Sequence, residues 1–407
     1  MTEIILGVAS FTVIVLVLTL FVLGARRLLV PSGECSIDVN GRTTVTAAIG
    51  QKLLDVLTRA DVQLPSACGG AGTCGLCKAR VIEGGGDPGP QEIALLSRAE
   101  TAKGVRLACQ VPILSSMNVE VDDIYFGIKT WQCTVKSVCN LATLISEIVL
   151  KLPAGEDFDF RAGSFVQVTC SPYQLSYSQL NIDEKYKDVW DKSKLWSLKA
   201  GSAIPVVRAY SMANKPRDKG VIRLNVRIAL PPPSSKDVPP GVVSSWLFSL
   251  KPGDQVEVTG PYGLFFVEPT DKEAIFIGGG VGMAPLYAQI RDLLEKQNSK
   301  RKISYWYGAR SKRELYYDDD FERLQSEHEN FDWHVALSEP EAEDNWQGQM
   351  GFIHKVIFDQ YLTNHPAPED CEYYLCGPPL MVKAVRAMLD DLGVDADAIY
   401  YDDFGSQ

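Results

Sequence analysis

The hydrophobic pattern changes character along the chain. Ile4 to Ala25 holds no charged residue, with Glu3 before it and Arg26-Arg27 after it. A run of that length suffices for one helix to cross a bilayer. In a cleavable signal peptide the basic residues precede the apolar run, whereas here they follow it. The pattern therefore predicts a transmembrane helix over 3–26, with Arg26, Arg27 and all that follows on the cytoplasmic side. Pro31-Ser-Gly33 reads as a short linker.

Beyond it the period shortens to two. Cys35–Val39 and Thr43–Thr46 alternate, and Asn40-Gly41 between them signals a hairpin turn. Leu53, Leu54 and Leu57 recur at helical spacing. Lys78–Ile82 reads as a strand, Gln91–Arg98 as a short helix and Asn118–Val121 as a closing strand. That order predicts a small β-grasp domain over 34–125. Thr134–Val138, Ser146–Leu150, Ser164–Val168, Val221–Ile228 and Gln255–Val258 are β-rich runs separated by turn residues, which predicts an antiparallel β-barrel over 128–268. Pro231-Pro-Pro233 and Pro239-Pro240 read as a loop inside it. Residues 171–205 read either as a solvated loop or as a docking surface for a partner protein. From 272 to 407 strands and helices alternate: Ala274–Ile277, a helix over Met283–Glu295, Ile303–Tyr307, Trp333–Leu337, Tyr373–Leu375 and a helix over Met381–Leu392. This predicts an α/β, Rossmann-like domain.

A length of 407 residues fits such a multidomain reading, and a net charge of −11 spread along the chain argues against nucleic acid as a partner. No acidic residue lies in the apolar run, so this chain alone offers no ion path through a membrane.

The densest chemistry is Ser66-Ala-Cys-Gly-Gly-Ala-Gly-Thr-Cys-Gly-Leu-Cys77. Cys68, Cys74 and Cys77 lie among four glycines, and Cys109 returns in Arg106-Leu-Ala-Cys-Gln. A glycine loop can wrap its N–H groups around an anionic centre. Structural zinc sites favour two short cysteine pairs, and disulfides are uncommon in a reducing compartment. Ligand number and spacing point to a [2Fe–2S] cluster held by all four thiolates. The first gap, Cys-x5-Cys, is one residue longer than the plant-type pattern and resembles the adrenodoxin-like ferredoxins. The remaining cysteines, Cys35, Cys133, Cys139, Cys170, Cys371 and Cys376, read mostly as small buried hydrophobes.

Shorter motifs follow. In Arg208-Ala-Tyr-Ser211, alternation puts Arg208 and Tyr210 on one strand face, where a guanidinium and an aromatic plane suit a diphosphate and a flavin ring. Gly241-Val-Val-Ser-Ser-Trp-Leu247 places a glycine and two hydroxyls at a helix start, where N–H groups can cradle phosphate. Gly278-Gly-Gly-Val-Gly282 joins a strand to a helix, the setting a dinucleotide pyrophosphate needs, although the Gly-x-Gly-x-x-Gly string itself is absent. Cys376-Gly-Pro-Pro379 ends another strand of the same sheet.

In this order and spacing the motifs resemble those of the ferredoxin–NADP reductase superfamily. With the ferredoxin domain and the apolar helix added, the whole chain resembles the family of F subunits in the bacterial Na⁺-translocating NADH:quinone oxidoreductases. The resemblance extends over the stretch before Arg208 and the ending Tyr400-Tyr-Asp-Asp-Phe-Gly405. It implies an enzyme that binds NADH at Gly278, Gly279, Gly280 and Gly282, transfers a hydride to FAD, and passes electrons singly through the cluster to partner subunits and finally a quinone. It implies that Arg208, Gly241 and Ser244 hold the FAD phosphates, that Tyr210 packs on one face of the flavin and Phe404 on the other, and that Ser211 bonds the flavin N5. Cys376, with Gly377 and Pro378, is then placed beside the reacting nicotinamide carbon. The resemblance also implies a bacterial inner-membrane location. Flavin is the carrier that accepts a hydride and releases single electrons, so it belongs between nicotinamide and iron–sulfur centre. Arg310, Lys312 and Arg313 could meet a 2′-phosphate, and Glu339 would disfavour one; the resemblance favours NADH. The rivals are a reductase component of an oxygenase and a membrane iron–sulfur scaffold.

Overall fold

The computed structural model describes residues 2–29, 33–215, 217–232, 238–263 and 265–402. Their contacts divide into two compact units, Met1–Ile128 and Lys129–Gln407.

The first unit begins with α1 (Thr2–Leu29). Its segment Ile5–Val22 has a mean hydropathy of 2.8 and buries none of its surface. At 1.5 Å per residue the helix is about 42 Å long, which exceeds the ~30 Å hydrocarbon core of a bilayer. Thr12 and Thr19 donate their hydroxyls to the carbonyls of Val8 and Val15, at 2.8 and 2.7 Å, so both are satisfied inside the helix. Of the residues assigned to the linker, Pro31 and Ser32 lie outside the described residues.

The rest of this unit is a mixed sheet with a helix across it. β1 (Glu34–Val39) and β2 (Thr43–Ala48) form a hairpin in which Asn40 and Gly41 have φ of 55° and 65°, as a type I′ turn demands. α2 (Leu53–Arg59) buries Leu53, Leu54, Val56 and Leu57. β3 (Lys78–Glu83), α3 (Pro90–Leu95), α4 (Arg98–Ala102), β4 (Val105–Leu107) and β5 (Met117–Glu120) complete it. The strand order is β2-β1-β5-β3-β4, with β1 parallel to β5 and the other pairs antiparallel. The single helix predicted over Gln91–Arg98 is two helices. Leu96 is extended, and Ser97 starts α4 with a capping box: its hydroxyl accepts from the Glu100 N–H while the Glu100 carboxylate accepts from the Ser97 N–H at 2.8 Å.

The second unit opens with a six-stranded antiparallel barrel. Its strands are β6 (Lys129–Ala142), β7 (Ile145–Lys151), β8 (Phe165–Cys170), β11 (Val206–Ser211), β12 (Val221–Arg227) and β13 (Gln255–Tyr262). They are ordered β11-β8-β13-β6-β7-β12, and a bridge from Met212 to Leu224 brings the two outer strands together. Residues 171–205 are not a solvated loop. They fold as the hairpin β9 (Tyr173–Ser176) and β10 (Lys199–Ser202) with α5 (Glu184–Lys192) between, and they bury Tyr177, Tyr186 and Trp190 in the barrel core. The Trp190 indole and the Tyr186 hydroxyl donate to the carbonyls of Thr143 and Leu141 at 2.9 and 2.8 Å. Only the hydroxyl and indole hydrogens of these rings needed partners, and both found backbone oxygen. α6 (Val242–Ser249) packs against β11.

The α/β part is a wholly parallel sheet of β14 (Ala274–Gly279), β15 (Ile303–Ala309), β16 (Phe331–Leu337), β17 (Gln349–Met350), β18 (Glu372–Cys376) and β19 (Ile399–Asp402), ordered β17-β16-β15-β14-β18-β19. α7 (Met283–Arg291), α8 (Asp318–Glu327), α9 (Ile353–Gln360) and α10 (Pro379–Asp391) cover it. Both faces are packed: Phe276 and Tyr374 belong to one core, Ile275 and Tyr373 to the other. The amphipathic helix predicted over Met283–Glu295 is α7 followed by a π-helical turn over Asp292–Lys296, and every residue of α7 is buried, including Gln289 and Arg291. Chain order reverses between β14 and β18. Such a switch point opens a crevice beyond the carboxyl ends of the strands.

Candidate functional site

Two sites are built by separate parts of the chain. In the first unit, Gly69, Gly70, Gly72 and Gly75 all take positive φ, from 64° to 85°, so that the loop curls back on itself at low steric cost. Ser66 fixes its start by accepting the Gly70 N–H at 2.8 Å. The segment carrying Cys109 is held from the other side, where the N–H groups of Leu53 and Leu54 donate to the carbonyls of Val111 and Ala108 at 3.0 and 3.1 Å.

The four cysteines predicted as ligands are brought together, and none is in a disulfide. Cys74 donates to the Cys68 sulfur at 3.3 Å, and Cys77 bonds Cys109. The hydrogen bond from Cys74 pulls the Cys68 thiol down to about 3, helped by the Thr73 and Cys74 amides and opposed by burial. The hydrogen bond with Cys77 lowers Cys109, with burial opposing and the Gln110 carboxamide and Gly72 amide assisting. Cys74 and Cys77 are displaced upward, first by that same sharing and then by burial. Backbone N–H groups thus converge on sulfur from several directions, which fits an anionic thiolate-ligated iron–sulfur centre.

Sequence reasoning missed what holds this loop from behind. Arg106 is buried and donates to the Glu92 carboxylate through Nε and Nη2, both at 2.8 Å, and to the carbonyls of Gly85 and Gly86 at 2.6 and 2.8 Å. Glu92 also accepts the Gly89 and Leu107 N–H groups, at 2.9 and 3.0 Å.

In the second unit, Arg208 and Tyr210 alternate on β11 and share a face as expected. Tyr210 is half-buried, and the Arg208 guanidinium donates to the Val207 carbonyl at 2.8 Å. The serine hydroxyls of α6 face their own helix start. Ser244 and Ser245 turn back on the Gly241 carbonyl at 3.2 and 2.6 Å, and Ser244 also accepts the Ala229 N–H at 3.1 Å. A hydroxyl at the third or fourth helical position can bond a carbonyl at its own helix start. What α6 offers an anion is its first-turn N–H groups, which a helix leaves without internal partners. Gly241 is there for closeness, since a Cβ would stand 2.6 Å from the Ala229 methyl.

Ser211, buried at the end of β11, donates its hydroxyl to the Asp402 carboxylate at 3.0 Å. Asp402 lies beside Cys376 in the pairing of β19 with β18, and Cys376 lies beside Gly278 in the pairing of β18 with β14. The loop after β14 then touches the loop after β18 backbone to backbone: a Cβ on Gly282 would stand 2.1 Å from the Cys376 oxygen. One continuous line therefore joins Arg208, Tyr210 and Ser211 to Asp402, Cys376 and the glycine loop. Asp402 escaped sequence reasoning, because nothing local marks a carboxylate that meets a serine from far along the chain. Gly377 abuts Gly279, and Pro378 precedes α10 on the same rim. Phe404 lies outside the described residues. Arg310 pairs with Glu339 at 2.8 Å, and Arg313 pairs with Asp188 and Glu341 at 2.9 and 3.0 Å. Cys139 is exposed, unlike the buried Cys35, Cys133, Cys170, Cys371 and Cys376.

A guanidinium, an aromatic face, helix amides and a glycine crevice at a switch point define a flavin- and nicotinamide-dependent oxidoreductase, here with a cluster-binding unit on the same chain. Family models agree: a 2Fe-2S iron-sulfur cluster binding domain matches residues 37–114, an oxidoreductase FAD-binding domain 197–267 and an oxidoreductase NAD-binding domain 276–387. Among solved structures, the Amycolatopsis cytochrome P450 reductase GcoB is 27% identical with a TM-score of 0.64, covering 91% of this chain and 98% of its own. The ferredoxin reductase in carbazole 1,9a-dioxygenase is 26% identical with a TM-score of 0.59, covering 92% and 99%. The F subunit of the Na(+)-translocating NADH-quinone reductase from Marinomonas sp. (strain MWYL1) is 52% identical over 403 residues, 99% of each chain. Its counterpart from Methylococcus capsulatus is 52% identical over 406 residues, 100% of each. The chain belongs to the family of these F subunits.

Proposed function

We propose that this chain is the NADH-oxidising subunit of a membrane-bound, sodium-translocating NADH:quinone oxidoreductase. FAD, when bound, supplies an acceptor that takes a hydride and releases electrons singly, and the [2Fe–2S] cluster supplies a one-electron carrier toward partner subunits and, through them, ubiquinone. The reading rests above all on the line of contacts that runs from Ser211 through Asp402 and Cys376 to Gly282.

The protein's part is binding and orientation. Arg208 takes the diphosphate charge with the start of α6, where Gly241 lets the backbone come close and Ser244 contributes from the first turn. Tyr210 offers a ring face to the flavin, and Phe404 is assigned the other face on the resemblance alone. Ser211 is assigned the hydrogen bond to flavin N5; with its one hydrogen given to Asp402, its oxygen would act there as the acceptor. Gly278, Gly279, Gly280 and Gly282 let a pyrophosphate approach the backbone, while Cys376, Gly377 and Pro378 mark the nicotinamide end. Carboxylates already facing Arg310 and Arg313 leave little for a 2′-phosphate, which supports NADH over NADPH. Cys68, Cys74, Cys77 and Cys109 hold the cluster. In functional terms 3–26 anchors the chain once in a bacterial inner membrane, with 34–125, 128–268 and 272–407 on the cytoplasmic side as cluster, flavin and nucleotide domains.

Absorption and EPR spectra of the purified protein before and after NADH test this. A bound flavin that bleaches with NADH, followed by the signal of a reduced [2Fe–2S] centre, is the expected result. A protein that binds no flavin, or a flavin that NADH leaves oxidised, contradicts the proposal.

A further inference from the structure

Beside the cysteine loop the Gln110 side chain is aimed at a sulfur without being a ligand, as the Thr73 hydroxyl is at Cys68. The Gln110 carboxamide donates from Nε2 to the Cys109 Sγ at 3.3 Å. Its backbone is fixed at both ends: the Gln110 N–H donates to the Leu107 carbonyl at 2.7 Å, and its carbonyl accepts the Lys52 ammonium at 3.2 Å. The carboxamide also lies directly over Gly72, where a Cβ would stand 2.4 Å from Nε2. The glycine thus leaves room for the amide as well as for the turn. A donor held this firmly, half-buried and within reach of a thiolate, is preorganised.

We infer that Gln110 is a tuning residue that sets the reduction potential of the cluster, an inference that rests on Cys109 being a cluster ligand. Reduction adds one electron and no proton to the centre, so it increases the negative charge shared by the ligand sulfurs. A hydrogen bond to such a sulfur is stronger in the more negative state, and it therefore raises the potential. The carboxamide makes the centre a better acceptor of the single electron that leaves the flavin. Leucine at this position removes the donor at similar volume. Glutamate keeps the shape but presents an acceptor and a negative charge.

The test is an EPR-monitored redox titration of the full chain in detergent, for wild type, Gln110→Leu and Gln110→Glu. The one-electron equilibrium of Gln110→Leu is expected to shift about tenfold against reduction, or 59 mV, and that of Gln110→Glu further, with flavin content and the flavin potential unchanged. Equal potentials in all three proteins, each with an intact cluster, overturn the inference. If neither variant holds a cluster, the wild type answers alone after ¹⁵N labelling of glutamine side-chain amides. A ¹⁵N coupling to the reduced centre is then expected, and its absence overturns the inference. Wild-type protein without iron removes the cluster assignment itself.

Discussion

The glycines of Gly278-Gly-Gly-Val-Gly282 do unequal work. Gly278 gives way to the Tyr305 hydroxyl and the Leu286 side chain, Gly279 to Met381, and Gly282 to the Cys376–Gly377 backbone. Only Gly280 has positive φ, 54°, with open space around its α-carbon. These roles separate in two substitutions. Gly280→Ala is expected to cost about 1 kcal/mol for a left-handed residue and to raise KM for NADH only modestly, by the methyl it sets in the open space where the pyrophosphate approaches. Gly282→Ala sets a methyl against backbone atoms that cannot swing aside, so it is expected to part the two nucleotide loops. Steady-state rates with an artificial electron acceptor check this: KM for NADH should rise at least tenfold in Gly282→Ala, with flavin content retained. An unchanged KM there would mean that the loops are not coupled. The motif was legible in the sequence as a glycine-rich strand–helix junction. Which glycine serves packing and which serves backbone conformation was not, because that depends on Tyr305, Met381 and Cys376, which are distant in the chain. For the same reason Arg208, Tyr210 and the four ligand cysteines could be chosen by type and spacing, but Asp402 could not.

At the scale of elements, local pattern and long-range packing part company in two places. Most strands of the first unit's sheet and of the barrel follow from alternation and turn residues, yet residues 171–205 looked like a loop because their short polar runs hide the three rings that the barrel buries. Behind the cysteine loop, α3 and the strand leading to Cys109 are tied by Glu92 and Arg106, whose side chains are 1% and 6% exposed. Burial opposes the charge on Glu92, but the Arg106 guanidinium and the Gly89 and Leu107 amides outweigh it and hold the carboxyl below its ordinary range. The sign follows from that direction. The stabilisation is present above the pKa of an unfolded glutamate and is lost as pH falls through the lower folded value. Glu92→Gln leaves Arg106 buried without its counter-charge, at a cost of about 3–5 kcal/mol. Because Arg106 lies on the strand that leads to Cys109, the expected outcome is faster loss of cluster absorbance on heating at pH 7. The gap between wild type and variant should narrow below about pH 4. Melts that coincide at pH 7 would show that the pair does not hold the loop.

At the scale of the whole molecule, the chain carries its two cofactor sites on separate compact units, each with its own core. The reductases of Amycolatopsis and of carbazole 1,9a-dioxygenase are similar to nine-tenths of this chain at about a quarter identity, so the fold alone does not distinguish the oxygenase-reductase reading from the pump subunit. The relatives among the F subunits match 99% or more of the chain at 52% identity, a span that includes the apolar helix. Module order was legible from the motifs because each motif is short and local. The separation into units has a consequence that the motifs did not state. If each unit folds around its own core, removing one cofactor should leave the other in place. Arg208→Leu removes the guanidinium from β11, a strand of the second unit. Purified full-length Arg208→Leu is therefore expected to lose most of its FAD while retaining iron, sulfide and the dithionite-reduced EPR signal of the cluster at wild-type levels. NADH should no longer produce that signal, since electrons reach the cluster through the flavin site. Loss of iron together with FAD would mean that the units depend on each other for folding, and normal flavin content would remove Arg208 from the diphosphate site.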